Sequence, residues 1–337
     1  MEEVIALVLA AGKGTRMKSK LPKVLHKAGG VPMVGQVLRA VKDAGTKREI
    51  VVVGFGAEAV TAYVGETAET VVQKEQLGTG HAVLQAESLL QGEKGILLVT
   101  CGDTPLVRTE TFRALLDCHK KTQASATVLT ACMPDPAGYG RVIRSADGKV
   151  SKIVEQKDGT SQELAVNEVN AGIYCFELPE LWELLHRIGN NNAQGEYYLT
   201  DIIGMLVADG KTVSAVAAED YRETLGVNSR LQLAQAEKIL RERKLEELMT
   251  EGVTVQDPSN TYVETTVTVG RDTVLYAGTV LEGRTVIGEN CEIGPFVRLT
   301  NVAMGDGNSL QYTYAHDCTI ENNLTAGPFV HFRPKTH

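Results

Sequence analysis

A short apolar run from Val4 to Ala10 leads directly into Ala11-Gly12-Lys13-Gly14-Thr15-Arg16-Met17. Junctions of this kind hold phosphate. With few side chains in the way, backbone N–H groups converge on an anion, and a helix after the loop adds the positive end of its dipole. The spacing predicts a strand, a phosphate-cradling loop and a helix, with Arg16 and the lysine of Leu21-Pro22-Lys23 neutralising charge. A plain strand-to-helix turn is the alternative, because the loop lacks both the third glycine of a dinucleotide fingerprint and the Gly-Lys-Ser/Thr ending of a P-loop. A second apolar run, Gly95 to Thr100, ends in Cys101-Gly102-Asp103 and sets one carboxylate at the carboxyl end of a strand, where open α/β sheets bind ligands. A hard cation that keeps several waters needs only one or two protein oxygens, so Asp103 suffices for Mg²⁺. An Asp that merely forms the turn before Thr104-Pro105 is the other reading.

Other candidate motifs carry less. Gly54-Phe55-Gly56-Ala57-Glu58-Ala59 approximates a dinucleotide fingerprint, but the next strand ends in Val72-Gln73-Lys74 with no carboxylate to hold a ribose, which disfavours a nicotinamide cofactor. The histidines (26, 81, 119, 186, 316, 331 and 337) show no i, i+4 pairing, and neither a catalytic triad nor a zinc site emerges; helix or surface positions are expected for them. Six scattered cysteines with no C-x-x-C pair are expected to be reduced structural thiols. Asp201, Glu219 and Asp220 are read as solvated surface.

The elements that position these residues follow from length and pattern. A chain of 337 residues, 43% apolar and 23% charged, has the balance of a soluble globular protein and enough length for two domains. No apolar run is long enough to span a bilayer and the amino terminus does not read as a secretory leader, so a cytoplasmic location is expected. The net charge of −8 disfavours a general attraction to nucleic acid or to an anionic membrane. Up to about Asn228, β-rich runs (Val4 to Ala10, Glu49 to Val53, Glu69 to Val72, Gly95 to Thr100, Ala126 to Thr130, Val169 to Phe176) alternate with helical periodicity, as in Met33 to Ala44 and His81 to Leu90. This is the grammar of an α/β domain with a largely parallel sheet and helices on both faces.

Ser229-Arg-Leu-Gln reads as a capping box, and the strong helix formers after it run to Gly252, predicting one long arm with a narrow apolar stripe of Leu233, Ala236, Leu240 and Leu248. Beyond Gly252 a six-residue period takes over, with Val263, Val269, Leu275, Leu281, Ile287, Ile293 and Leu299 in phase and small or branched residues four positions on. That is the hexapeptide pattern of a left-handed parallel β-helix of roughly four coils. The phase slips near Met304 and resumes at Ile320, for which an outward loop or a skipped turn is the expectation. With no cap before His337, the chain reads as a shortened form of a longer one. The expected boundaries are 1–228 for the α/β domain, 229–252 for the linker helix and 253–337 for the β-helix.

Taken in order, Leu9 to Met17 with Leu21-Pro22-Lys23, Gln76 to His81, Gly102-Asp103, Gly138 to Arg141, Glu155 and Gly226-Val227-Asn228 resemble the Rossmann-like sugar-nucleotide pyrophosphorylases. With the arm helix and the β-helix behind them, essentially the whole chain resembles the bacterial bifunctional N-acetylglucosamine-1-phosphate uridyltransferase/glucosamine-1-phosphate acetyltransferases. The resemblance implies Mg²⁺-dependent reaction of UTP with N-acetylglucosamine 1-phosphate, giving UDP-N-acetylglucosamine and pyrophosphate. It places Leu9, Ala10, Ala11, Gly12 and Gly14 against the nucleotide, Gln73 and Gly78 at the uracil, and Arg16 and Lys23 at the phosphates. Asp103 and Asn228 match the family's Mg²⁺ ligands, and Gly102, Thr79, Gly140, Glu155 and Asn170 match positions around the nucleotide and amino sugar. Cys101, where an aromatic residue is frequent, and Ala171, where Thr is common, depart from the pattern. Gly327 to Pro334 matches the first acetyltransferase segment, with Arg333 at a sugar-phosphate position; the later residues of that site lie past His337, so acetyl transfer is expected to be absent. A homotrimer through the β-helix is implied. A glucose-1-phosphate enzyme using UTP or dTTP, and a non-catalytic scaffold of the same architecture, are the rival readings.

Overall fold

The computed structural model describes residues 3–334, which divide into two compact units: one of residues 3–26 and 32–232, the other of residues 27–31 and 233–334. The first unit is built on a mixed sheet. Across it the strands run Val213–Ala217, Ala126–Cys132, Glu168–Glu177, Ile96–Cys101, Val4–Ala10, Arg48–Val53 and Glu69–Val72, with the hairpin Arg141–Arg144 and Val150–Val154 attached to Glu168–Glu177. Along the seven-strand path pairing is parallel except where Glu168–Glu177 inserts antiparallel to both neighbours, and the attached hairpin is antiparallel throughout. The apolar runs are continuous because both faces are covered. Leu7, Ile50, Val52, Leu97 and Val99 enter one core, while Val8, Val51, Val53, Ile96 and Leu98 enter the other.

Register places the chemistry. Leu9 pairs with Cys101, so the first strand and Ile96–Cys101 end level, and the Gly102 N–H donates to the Leu9 carbonyl at 2.9 Å. The glycine loop and Asp103 thus leave the sheet side by side, at the carboxyl ends of two central strands. A register shift between Asn170 and Tyr174 turns Glu168–Glu177 toward the same edge, and Asn170 braces it by accepting the Gly172 N–H at 3.0 Å.

Two expectations need correction here. Gly14 is followed only by a single 3₁₀ turn, Thr15–Met17, so no helix dipole backs the loop; a true helix forms when many residues continue the ladder, and Lys18 ends this one in the left-handed region. The helix expected over His81 to Leu90 is two pieces, Thr79–Leu84 and Glu87–Leu90.

Arg230–Thr250 forms the long helix, which belongs to the second unit from Leu233 on, and it is less solvated than its charges suggest: Leu245 and Leu248 join the β-helix core, and Lys244 is buried against the Glu247 carboxylate at 2.6 Å. Residues 27–31, most of the hairpin formed by Lys27–Ala28 and Val31–Pro32, belong to this unit, the Gly29 N–H donating to Glu237 at 2.6 Å. From Thr254 onward, two- and three-residue strands stack in parallel into three sheets among the described residues, the faces of a left-handed parallel β-helix. Every in-phase residue from Val263 to Leu299 is buried. The buried Thr273 and Thr279 hydroxyls donate to the Gly288 and Ile293 carbonyls one coil on, which lets a polar residue occupy the interior.

The phase slip is neither a loop nor a skipped turn. Inward residues continue as Met304, Leu310, Ala315, Ile320, Ala326 and Phe332, each on its own short strand. The spacing shortens to five residues before Met304, Ala315 and Ile320, because a tight corner can lose one residue while the ladder stays in register. No helix among the described residues is long and apolar enough to cross a membrane.

Candidate functional site

At the carboxyl edge of the first unit's sheet lies a cleft of about 260 Å³ walled by Leu9, Ala10, Ala11, Gly12, Lys23, Gln73, Gly78, Thr79 and Asp103. Most residues singled out from the sequence are therefore brought to one place. Gly14 does not line it but shapes it. With φ +58°, its Cα faces Lys23, and a Cβ there would stand 2.7 Å from Lys23 Cβ. Arg16 sits exposed on the same loop rather than in the wall. Gly78 adopts φ +116° where a Cβ would meet the Tyr197 backbone oxygen at 2.6 Å, so this loop can close onto Tyr197 only with glycine. That closure is fixed by the Tyr197 N–H on the Leu77 carbonyl and the Gly80 N–H on the Tyr197 carbonyl, both at 2.8 Å.

Charge is concentrated at the lip. The Lys23 ammonium is ion-paired with the Asp103 carboxylate and donates to Asn228 Oδ1 at 2.8 Å. Asn228 comes from 125 residues further along the chain and is held twice over: the Val227 N–H donates to the Asp103 carbonyl at 2.8 Å, and the Asn228 N–H donates to Gln232 Oε1 at 2.8 Å. Gln232 also donates its own N–H to Ser229 Oγ at 3.2 Å. Ser229 caps the long helix, but Gln232 turns its side chain to the Asn228 N–H rather than to the Ser229 N–H that a capping box would use, and so becomes the clamp that presents Asn228. A carboxylate and an amide oxygen converging on one cation are the hard donors a divalent metal of the Mg²⁺ class takes, with water and phosphate completing its shell. The donor set fits such an ion at Asp103 and Asn228, although no cluster of three or more His, Cys, Asp or Glu occurs among the described residues.

A second group of residues stands beside this one. The Asn170 N–H donates to the Gly140 carbonyl at 2.9 Å, and Asn170 Nδ2 donates to the Tyr174 hydroxyl at 2.6 Å. Glu155 lies against Gly140 and accepts from the Thr200 hydroxyl at 3.1 Å. Burial pushes the Glu155 carboxyl above its ordinary range, opposed by that hydroxyl and reinforced by Asp158, Asp201 and Glu196. Asn170, Gly140 and Glu155 thus set an amide, a backbone carbonyl and a carboxylate close together, polar groups of the kind that pair with hydroxyls. Burial also pushes the Cys101 thiol up to about 12, with Asp103 adding to it, so the residue at the aromatic position is an inert wall rather than a nucleophile. All six cysteines are free.

Sequence reasoning passed over Glu196 on the cleft wall and Thr200 on Glu155. Both lie in Gly195-Glu196-Tyr197-Tyr198-Leu199-Thr200-Asp201, a segment without phosphate-loop or metal spacing; its only signal was a polar-aromatic run just ahead of a helix. Arg333 lies in the second unit, exposed, its guanidinium donating to His331 Nδ1 at 3.1 Å.

Residues 6–152 match the MobA-like NTP transferase domain, and residues 266–301 match the bacterial transferase hexapeptide of six repeats. The chain is 53% identical over 331 residues to the bifunctional protein GlmU of Geobacillus sp. (strain WCH70), covering 98% of this chain and 72% of that protein. It is 52% identical to the GlmU of Geobacillus thermodenitrificans over 98% of this chain and 72% of the relative, and 47% identical to that of Bacillus velezensis over 99% and 73%. A nucleotidyltransferase-type cleft with paired acid and amide oxygens, followed by a hexapeptide β-helix in the same order as these relatives, places the chain in the family of bifunctional GlmU proteins.

Proposed function

We propose that this chain transfers UMP from UTP to N-acetylglucosamine 1-phosphate, giving UDP-N-acetylglucosamine and pyrophosphate. The observation that carries the reading is the Lys23 ammonium held between Asp103 and Asn228 at the lip of a cleft whose floor is the glycine loop. An oxygen of the sugar phosphate forms a bond to the α-phosphorus of UTP as the α–β bridging P–O bond breaks, and pyrophosphate leaves with that electron pair. Both reactants are polyanions, so alignment and charge neutralisation are the protein's main tasks. Lys23, Arg16 and the N–H groups of Leu9 to Gly14, with Gly102 beside them, serve the phosphates; Gln73, Gly78 and Thr79 serve the nucleoside; Gly140, Glu155 and Asn170 serve the amino sugar. Mg²⁺, held by Asp103 and Asn228, offsets phosphate charge when bound.

The test is pyrophosphate release with UTP and N-acetylglucosamine 1-phosphate, run with and without Mg²⁺ and beside glucosamine 1-phosphate, glucose 1-phosphate and dTTP. Preference for the first pair supports the reading. Preference for another pair changes the substrate, and silence with every pair from folded protein favours a scaffold role. Association into trimers through the β-helix belongs to the same proposal. It is supported by the exposed row Phe296, Tyr312 and Phe329, whose rings follow one another at 5.6 and 5.9 Å, and light scattering of the full chain measures it.

A further inference from the structure

His81 has no part in the chemistry above, yet its ring touches the side chain that faces the nucleobase. Gln73 is 3% exposed, and its amide nitrogen lies 3.2 Å from the Gly78 carbonyl oxygen and 3.0 Å from His81 Nδ1. A carbonyl oxygen can only accept, so the Gly78 contact identifies which end of the Gln73 amide is nitrogen. That NH₂ group then faces His81 Nδ1, and a hydrogen bond forms there only if Nδ1 carries no proton. On the far side of the ring, the Gln85 amide nitrogen lies 3.2 Å from His81 Nε2 and 2.9 Å from the His81 carbonyl oxygen. A neutral imidazole accepts at one nitrogen and donates at the other, so it cannot accept from both glutamines.

The more buried amide loses more when left unpaired, and Gln73 is buried whereas Gln85 is only half-buried. His81 therefore accepts from Gln73 and keeps its proton on Nε2, while Gln85 keeps its nitrogen on the His81 carbonyl at 2.9 Å and gives up the longer contact to Nε2. Both hydrogens of the Gln73 amide are now engaged, by Gly78 and by His81, and its oxygen is what remains for the cleft.

We infer that His81 is a positioning residue for base selectivity, locking the Gln73 amide so that its oxygen, not its nitrogen, is presented to the nucleobase. The inference rests on the uridylyltransfer reading and deepens it. It defines the base class as one with an imide N–H donor. Uracil and thymine carry that donor at N3, whereas cytosine presents an unprotonated N3 that the glutamine oxygen repels. Freed of His81, the amide can turn over and offer its NH₂ to cytosine.

The experiment measures kcat and KM of the full chain for UTP and for CTP with saturating N-acetylglucosamine 1-phosphate. In His81→Leu the KM for UTP is expected to rise about tenfold and that for CTP to fall, with kcat for UTP within about threefold of the parent, so the UTP/CTP preference drops at least about tenfold. His81→Asn, whose amide oxygen can replace Nδ1 as acceptor, restores the preference. His81→Gln, whose amide reaches toward the Nε2 side, does not, and it serves in place of the leucine variant if that one fails to fold. A general loosening of the loop would weaken both nucleotides alike. Equal losses for UTP and CTP, an unchanged ratio, or no rescue by asparagine overturns the inference while leaving uridylyltransfer standing. Absence of UTP turnover in the parent protein overturns both.

Discussion

Replacing Lys23 with alanine removes the ammonium that ties Asp103 to Asn228 and that, in the proposed reaction, faces the phosphates. The side chains of Lys23 and Asp103 are 13% and 18% exposed, so the pair is largely but not wholly withdrawn from water. Truncating one member of a fully buried pair costs about 3–5 kcal/mol, and an exposed pair is worth about 1 kcal/mol or less. Asp103 keeps a path to solvent through the cleft, which places the expected loss of stability near the lower end, about 1–2 kcal/mol. For a unit of this size that is a fall of about 2–8 °C in Tm. Catalysis should suffer more. Loss of one preorganised charge donor at a transition state typically costs about 10²–10³ in kcat. The decisive assay pairs a melting curve with pyrophosphate release at saturating UTP, sugar phosphate and Mg²⁺. A protein that melts within 8 °C of the parent and turns over at least a hundredfold more slowly fits the argument. A folded variant with kcat within threefold of the parent would refute the role given to Lys23, and with it the reading of the lip as the phosphate site.

Gly14→Ala should act through the same lysine: its methyl group would fall 2.7 Å from Lys23 Cβ at a φ of +58°, so a loss of about 1 kcal/mol in stability and a lower kcat with little change in Mg²⁺ requirement are expected. Asn228→Ala keeps the backbone bond to Gln232 but loses the amide oxygen, so the Mg²⁺ concentration for half-maximal rate should rise about tenfold while Tm holds; an unchanged Mg²⁺ titration would remove Asn228 from the metal site. His119 provides a pH prediction. It is buried, bonded to Thr127 at 2.8 Å and to Glu177 at 3.2 Å, and burial lowers its pKa to about 4 from 6.5, so the Glu177 contact is a hydrogen bond to a neutral ring rather than an ion pair. The folded state then binds this proton less readily than the unfolded chain. Stability is full above pH 6.5 and declines as pH falls toward 4, by up to about 3 kcal/mol. His119→Gln should flatten Tm against pH over that window, and a parent-like slope would show that other groups set the acid limb.

Features that repeat locally, or whose partners lie within a few residues, are legible along the chain. The six-residue period named the β-helix because each coil buries its own residues against the next, and Val263 to Leu299 needed no distant information. Strand, glycine loop and Gly102-Asp103 were legible for the same reason: a buried parallel strand is apolar throughout, and its carboxyl end is where the polar residues begin. Tertiary structure decided the rest. That one 3₁₀ turn, not a helix, follows Gly14, and that inward residues close up at Met304, Ala315 and Ile320, depends on how neighbouring segments stack. The joining of Lys23, Asp103 and Asn228 depends on sheet register and on Gln232 reaching back to the Asn228 N–H, which spacing along the chain does not encode. The link from His81 to Gln73 was equally invisible, because a hydrogen bond is directional and only folded geometry shows which nitrogen faces which amide.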